Sequence, residues 1–139
     1  MLLIREVLQV MGLTMLFGLG SWLFHPKAPG WDTNPYAAYE KSLAAVAASD
    51  ASILWVDARS SEAYKKGHIP SAIRLTEEEW DSLLGIILLE YWQPEQWVVV
   101  YCDNTGCQKS RKIAARLRQE VPGIQAYYLR GGWDTWRKR

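Results

Sequence analysis

The sequence predicts an α/β fold whose central parallel sheet has about four to five strands and is flanked by helices. Short apolar runs alternate with amphipathic segments, which is the order of strands and helices in such folds. The runs Ile53–Val56 and Val98–Tyr101 are apolar without alternation, as expected for strands buried on both faces of a parallel sheet. Such sheets bind ligands at the carboxyl ends of their strands, and Cys102 directly follows the second run.

The composition is that of one globular domain. The chain has 139 residues, of which 49% are hydrophobic, and a formal net charge of +1. This small charge gives no electrostatic reason to expect nucleic acid as a partner. The two cysteines are too few for a disulfide scaffold, and both lie in one short loop. They are therefore interpreted as a reactive pair, or as one reactive thiol and one bystander.

The N-terminal segment is predicted to be an uncleaved, single-pass membrane anchor. Residues 7–24 carry no charge and one strongly polar side chain, Gln9, and they are just long enough to span a bilayer core. A cleaved signal peptide is the alternative, although no A-x-A site follows. We expect a transmembrane anchor over 1–24, a linker over 25–34 and the folded domain over 35–139. The flanking positive charges favour a domain outside the cytoplasm.

Each element of the predicted domain has a local signal. An asparagine followed by proline predicts a helix over 35–48. Thr76 and Glu79 have the spacing of a capping box, and Ser110 is expected to cap the helix after the cysteine loop. The other predicted elements are the two strands above, a helix over Ser61–Lys66, strands over Ala72–Leu75 and Gln125–Leu129, a helix to about Val121 and a last helical turn over Trp133–Arg137.

The stretch from Val98 to the helix after Cys102 carries the chemistry. The unpaired N–H groups at a helix start favour an anion, and a thiolate held there has a depressed pKa. Cys102 is therefore interpreted as a reactive thiol, and a buried inert cysteine is the alternative. Asp57, Arg59 and Gly131 are expected at the same sheet edge. We assign them structural support, through an ion pair and a tight turn.

Three stretches carry a resemblance to a known family: VDARSSEAYKKGHIPSAIRL at 56–75, VVVYC at 98–102 and LRGGWDTW at 129–136. They resemble the motifs of the rhodanese-like domain family, and together they are specific. The resemblance implies a rhodanese-like fold in a membrane-anchored, single-domain form. It also implies a sulfurtransferase, in which a cysteine takes a sulfane sulfur, holds it as a persulfide and passes it to a nucleophilic acceptor. By position, Cys102 matches that cysteine.

The same resemblance implies the partners and the binding residues. The donor is expected to be a small molecule or a protein that carries sulfane sulfur, and the acceptor a thiol; no cofactor or metal is implied. Backbone N–H groups of the loop are expected to face the persulfide and stabilise its charge. The expected substrate-binding residues are Asp103, Asn104, Thr105, Gly106, Cys107, Lys109 and Arg111.

Two residues of the loop depart from the family pattern. Asp103 stands where a basic residue is often found, and Cys107 stands where an arginine usually closes the loop. An acidic neighbour raises the pKa of a thiol and repels anionic donors, which argues against thiosulfate. Cys102 and Cys107 can form a disulfide if their Cα atoms lie within ~7 Å. Cys107 would then resolve a persulfide or a sulfenic acid on Cys102; an inert loop thiol is the alternative.

Two other functions compete with sulfur transfer. One is a membrane-tethered rhodanese-like interaction or sensing module with little turnover. The other is a phosphatase of the same fold, which needs an arginine that closes the cysteine loop to bind phosphate. The next arginine after Cys102 is Arg111, so the phosphatase is disfavoured.

Overall fold

A computed structural model of the chain describes residues 2–24, 36–104 and 106–139. The chain forms two compact units, residues 1–35 and 36–139. The predicted linker, residues 25–34, lies outside the described residues, as does Thr105 of the cysteine loop.

The first unit contains helix α1, Leu2–Phe24. Within the described parts of the chain, no helix is long and apolar enough to cross a membrane. The prediction of a transmembrane helix over residues 7–24 is therefore not supported. The first turns of α1 hold the charged pair Arg5 and Glu6 and the polar Gln9. The expected position of the domain outside the cytoplasm stays a prediction.

The second unit is built on five parallel strands. Its elements in chain order are a 3₁₀ turn (Ala37–Tyr39), β1 (Glu40–Lys41), α2 (Leu43–Ala47), β2 (Ile53–Asp57), α3 (Ser61–Lys66), β3 (Ile73–Arg74), α4 (Trp80–Ile86) with a π-helical turn (Ile87–Tyr91), β4 (Trp97–Tyr101), α5 (Lys109–Glu120), β5 (Gln125–Leu129) and α6 (Gly132–Arg137). The strand order is β1-β5-β4-β2-β3, and every pairing is parallel. The predicted parallel α/β sheet is therefore confirmed.

Strand β4 lies at the centre of the sheet and is buried on both faces. Val98 and Val100 join a core with α4 and α5, while Val99 and Tyr101 join a second core with α2 and α6. Full burial of each such side chain stabilises the fold by about 1.5–3 kcal/mol. The strand end that precedes Cys102 is thus held from both sides.

The single helix predicted over residues 35–48 is wrong. The chain forms β1 there instead, and its backbone pairs with β5. The Lys41 carbonyl also accepts a hydrogen bond from the Arg130 N–H (2.9 Å). Helix α2 starts only after Ser42, whose Oγ accepts from the Ala45 N–H (3.1 Å). Strand pairing across the sheet therefore overrides the local helical pattern.

Two predicted helix caps are also wrong. Thr76 does not cap α4; its hydroxyl donates to the Glu79 carboxylate (3.1 Å), and the helix begins at Trp80. Ser110 does not cap α5, because that helix already begins at Lys109 and Ser110 lies in its first turn. The displaced serine hydroxyl is buried and becomes part of the site described next.

Candidate functional site

A disulfide between Cys102 and Cys107 lies at the carboxyl end of β4, with the two Cα atoms 6.2 Å apart. Cys102 is only 1% exposed, whereas Cys107 is half-buried. The pairing that the sequence left open is therefore present in this structure. The pair is asymmetric, because one sulfur belongs to a buried residue and the other to a residue that solvent reaches.

Ser110 is the polar side chain next to the buried sulfur. Its Oγ lies 3.2 Å from Cys102 Sγ. A disulfide sulfur carries no proton, so in this state the hydroxyl is the donor. The hydroxyl can donate equally to a Cys102 thiolate, which it would stabilise. The Cys107 carbonyl oxygen lies 3.5 Å from the same sulfur and can accept only from the protonated thiol.

Two backbone N–H groups of the cysteine loop donate to acceptors within the loop itself. The Asn104 side-chain oxygen accepts from the Gly106 N–H (3.0 Å), and the Asn104 carbonyl accepts from the Cys107 N–H (3.2 Å). These two groups are therefore not aimed at the Cys102 sulfur, and for them the prediction of an inward-facing N–H cradle is wrong. The short polar side chain of Asn104 captures the Gly106 N–H, two residues on, and the turn that follows places the Cys107 N–H on the Asn104 backbone carbonyl.

The start of α6 binds the cysteine loop from the other side. The Trp133 N–H donates to the Cys102 carbonyl (2.7 Å) and the Asp134 N–H donates to the Asp103 carbonyl (3.0 Å). Gly132 makes this approach possible: its φ is +51°, and a Cβ there would lie 2.1 Å from the Cys102 carbonyl oxygen. The Gly-Gly-Trp motif is thus a direct backbone contact to the cysteine.

An ion pair supports the loop from below. Arg59 donates to both carboxylate oxygens of Asp57 (2.6–3.2 Å) and to the Gly67 carbonyl (2.7 Å), and both charged residues are buried. The Arg59 guanidinium also lies 4.8 Å from the centre of the Trp133 ring. These contacts link the end of β2, the residue after α3 and the first turn of α6. Gly131 has a φ of +72° where the chain leaves β5.

Tyr101 completes the buried polar layer under the loop. Its hydroxyl accepts from the Ile69 N–H (3.1 Å). Burial raises the pKa of the Tyr101 phenol, and the neighbouring Asp57 carboxylate raises it further. The phenol therefore stays neutral and keeps its hydrogen bond throughout the physiological pH range.

Arg59 also faces the acidic residue beside the cysteine. Its Nη1 lies 3.9 Å from Asp103 Oδ1, and the Asp103 side chain is 62% exposed. The negative charge that the sequence places next to Cys102 is therefore partly balanced by a guanidinium and partly screened by water.

Lys109 and Arg111, the two basic residues at the start of α5, line different pockets. Arg111 lies on the Cys107 side, with its guanidinium 5.3 Å from the centre of the Tyr128 ring. It lines a small pocket of about 10 Å³ with Asn104, Cys107 and Ser110. Lys109 faces a different, larger groove of about 380 Å³, which Arg74 and Glu62 also line. The structure thus brings Asn104, Cys107 and Arg111 together but leaves Lys109 apart.

Sequence reasoning missed Ser110 and Gly132 as parts of the site. Ser110 was assigned to the helix cap, and only the start of α5 two residues earlier turns its hydroxyl to the sulfur. Gly132 was assigned to a tight turn. The paired glycines were the available signal, because a glycine is needed wherever another backbone approaches closely.

The fold and the site define a parallel α/β domain with a cysteine pair at the carboxyl end of its central strand. A family model described as "Rhodanese-like domain" matches residues 38–139. The chain belongs to the rhodanese-like domain family. This membership suggests a sulfurtransferase-type or related function.

Solved structures agree with this assignment. A protein from Bacillus halodurans is 30% identical, with 72% of each chain covered and a TM-score of 0.57. The fold is also shared with a rhodanese-related protein from Thermoplasma volcanium (17% identity, 71% of this chain and 90% of that chain, TM-score 0.52). A rhodanese-like domain protein from Staphylococcus aureus shares the fold as well (20% identity, 70% of this chain and 89% of that chain, TM-score 0.52). No curated protein sequence matches the chain.

Proposed function

We propose that this protein is a sulfurtransferase that carries a sulfane sulfur as a persulfide on Cys102, with Cys107 coupling the transfer to redox chemistry. The observation that carries the proposal is the position of Cys102. Its sulfur lies at the end of β4, 3.2 Å from the Ser110 hydroxyl and beside the start of α5, a twelve-residue helix. A thiolate there gains from a donor and from the helix dipole.

The first step begins from the reduced protein. The Cys102 thiolate attacks the outer sulfur of a donor R–S–SH. The bond between that sulfur and R–S breaks, RS⁻ leaves, and Cys102 becomes Cys–S–SH. The donor and the acceptor are a persulfide-bearing molecule and a thiol, supplied by small molecules or by proteins.

The second step uses Cys107. Its thiolate attacks Cys102 Sγ, the bond from Sγ to the outer sulfur breaks, and hydrosulfide leaves. The product is the Cys102–Cys107 disulfide, and the distance of 6.2 Å between the Cα atoms supports this closure. When an acceptor thiol takes the outer sulfur first, the cysteines stay reduced. Cys107 thus sets a competition between passing sulfur on and releasing it as sulfide.

Asp103 bears on the choice of donor. Its exposed carboxylate beside Cys102 repels a dianion such as thiosulfate, while its distance of 3.9 Å from Arg59 offsets part of that charge. We therefore propose a neutral or singly charged persulfide as the preferred donor.

Mass spectrometry of the reduced full chain tests the proposal. The protein is incubated with a glutathione persulfide donor or with thiosulfate, and intact mass is followed over time. The Cys107→Ser variant is expected to hold one added sulfur that cyanide removes, because it cannot close the disulfide. The wild type is expected to release sulfide and to lose the mass of two hydrogen atoms as the disulfide forms, because the persulfide donor oxidises the two thiols.

The control is Cys102→Ser, which is expected to gain no sulfur from either donor. If that variant loads sulfur as well as the wild type does, Cys102 is not the carrier. If no variant loads sulfur from any donor while the disulfide still opens and closes, the second candidate function applies. It is a rhodanese-like sensing module whose switch is the disulfide.

A further inference from the structure

We propose that the Cys102–Cys107 disulfide is a site of thiol–disulfide exchange, in which an external thiolate attacks Cys107 and Cys102 is the leaving group. The exchange goes beyond sulfur transfer, since it needs only the disulfide and a thiol. It assigns different roles to the two cysteines and names the class of partner, a thiol reductant.

Access decides which sulfur is attacked. Exchange requires the incoming thiolate to reach a disulfide sulfur from the side opposite the leaving sulfur. Cys102 is 1% exposed, and the Trp133 N–H at the start of α6 donates to its carbonyl (2.7 Å). Cys107 is half-buried and lies in the loop, next to the exposed Gly106 and Gln108. Of the two cysteines, Cys107 is therefore the residue that an approaching thiol can reach.

The environment of Cys102 suits a leaving thiolate. A thiol with a lower pKa leaves faster from a disulfide. As the S–S bond breaks, the electron pair stays on Cys102 Sγ, where the Ser110 hydroxyl at 3.2 Å can donate to it. The start of α5 adds the positive end of a twelve-residue helix. Among the described residues no side chain donates to Cys107 Sγ as Ser110 does to Cys102 Sγ, so the hydrogen bond favours charge on Cys102, while the Asp103 carboxylate and the Arg111 guanidinium act in the opposite direction.

The charges on the Cys107 side favour an anionic partner. Two guanidinium groups, those of Arg111 and Arg130, and the carboxylate of Glu40 line the pocket with Cys107, which leaves one net positive charge there. Arg130 is bonded to Glu40, and Arg111 lies over the Tyr128 ring, so both are held in place. The pocket has a volume of only about 10 Å³, too small for more than about one water molecule. The partner must therefore meet Cys107 from the surface.

Reduction of the disulfide by thiols takes place in two displacement steps. A thiolate RS⁻ bonds to Cys107 Sγ, the Cys107–Cys102 bond breaks, and Cys102 leaves as a thiolate. A second thiolate then attacks the R sulfur of the mixed disulfide, so that RSSR forms and Cys107 leaves as a thiolate. Two thiols are oxidised to one disulfide, and the protein gains the two electrons that reduce its own disulfide.

The test traps the mixed disulfide on the oxidised full chain, with no sulfane sulfur donor present. Reduced glutathione is added, samples are quenched in acid and free thiols are alkylated with a maleimide. Cleavage on the amino side of Asp103 then separates Cys102 from Cys107. Glutathione is expected on Cys107 and maleimide on Cys102. Glutathione found mainly on Cys102 would overturn the proposal, as would failure of any thiol to open the disulfide.

Single-cysteine variants provide a control, because in them glutathione cannot move from one cysteine to the other after trapping. Reduced Cys102→Ser, which keeps Cys107, is expected to form a glutathione adduct with oxidised glutathione several-fold faster than Cys107→Ser. Equal rates, or a faster Cys107→Ser, would contradict the assigned access. Circular dichroism confirms that both variants are folded. Because these assays need no sulfur donor, their outcome is independent of whether Cys102 carries a persulfide.

A second arm identifies the source of the thiol. Glutathione is compared with a protein dithiol whose second cysteine is replaced by serine, so that a trapped intermolecular disulfide accumulates. An adduct on Cys107 with glutathione assigns a small thiol, and an adduct with the protein alone assigns a protein reductant.

In Arg111→Gln, the rate with anionic glutathione is expected to fall several-fold relative to the rate with neutral 2-mercaptoethanol. An unchanged ratio would remove the arginine from the recognition of the thiol.

Discussion

Replacing Gly132 with alanine is expected to break the contact between α6 and the cysteine loop. The new Cβ would lie 2.1 Å from the Cys102 carbonyl oxygen and 2.9 Å from its carbon. Both atoms belong to backbone, so the clash cannot be relieved by turning a side chain. The start of α6 must move away, and the hydrogen bonds from Trp133 and Asp134 to the loop carbonyls are lost.

Gly123 provides a matched control for the size of this effect. Its φ is +80°, close in kind to the +51° of Gly132, but no heavy atom lies within 4 Å of a Cβ built there. Alanine at either position costs about 1–2 kcal/mol for the left-handed backbone. Gly132→Ala loses two hydrogen bonds as well, at about 1 kcal/mol each. We expect Gly132→Ala to be less stable than Gly123→Ala by about 2 kcal/mol.

Urea unfolding of the oxidised proteins measures the difference. For a domain of this size, a loss of about 2 kcal/mol corresponds to a fall in Tm of roughly 10 °C. The Cys102 site is also expected to open, so that exchange with glutathione is no longer confined to Cys107 in Gly132→Ala and stays confined in Gly123→Ala. Free energies of unfolding that agree within about 0.5 kcal/mol would refute the reasoning.

Three further predictions concern the charges around the site. In a reduced protein that lacks Cys107, Ser110→Ala is expected to raise the pH midpoint of Cys102 alkylation by about one unit. The reason is that a hydrogen bond to a charged group is worth about 1.5–3 kcal/mol. An unmoved midpoint would exclude the hydroxyl as a donor. Asp103→Asn is expected to load sulfur from thiosulfate faster, with less effect on a neutral donor, and equal effects on both donors would argue against repulsion. The Arg130 guanidinium, bonded to Glu40, holds the pKa of that carboxyl below its ordinary value of 4.5. A carboxylate with a lowered pKa stabilises the fold at pH values above its pKa in the unfolded chain, and this stabilisation is lost as the pH falls. Glu40→Gln is therefore expected to be less stable than the wild type at pH 7 and to approach it below about pH 4. A difference in stability that does not depend on pH would rule out the ion pair.

The centre of the fold could be predicted from the sequence because its signals are local. The apolar run of β4, Cys102 at its end and the amphipathic pattern of α5 all lie within one short stretch. Strand β4 buries its apolar side chains in both cores and α5 buries its apolar side chains in the first, so pattern and packing agree. The edge strand β1 could not be predicted, because its two residues are held by pairing with β5 near the other end of the chain.

The details of the site depend on shifts of one or two residues, which sequence patterns do not resolve. Ser110 contacts the sulfur because α5 begins at Lys109, and a later start would have made it a cap. Asn104 captures the N–H groups that were expected to face a persulfide. The spacing of Cys102 and Cys107 allowed a disulfide without requiring it, since only the curl of the loop brings the two Cα atoms to 6.2 Å.

The bonds from α6 to the loop also bear on how the protein is made. Domains fold as the chain leaves the ribosome, and Cys102 is synthesised well before Trp133 and Asp134. Until Trp133 and Asp134 emerge, the carbonyls of Cys102 and Asp103 lack the donors that hold them in the folded domain. A chain truncated before Gly132 would therefore carry both cysteines on a loop without these two hydrogen bonds. The cysteine loop gains its last two backbone bonds only after the segment that begins at Gly132 has been synthesised.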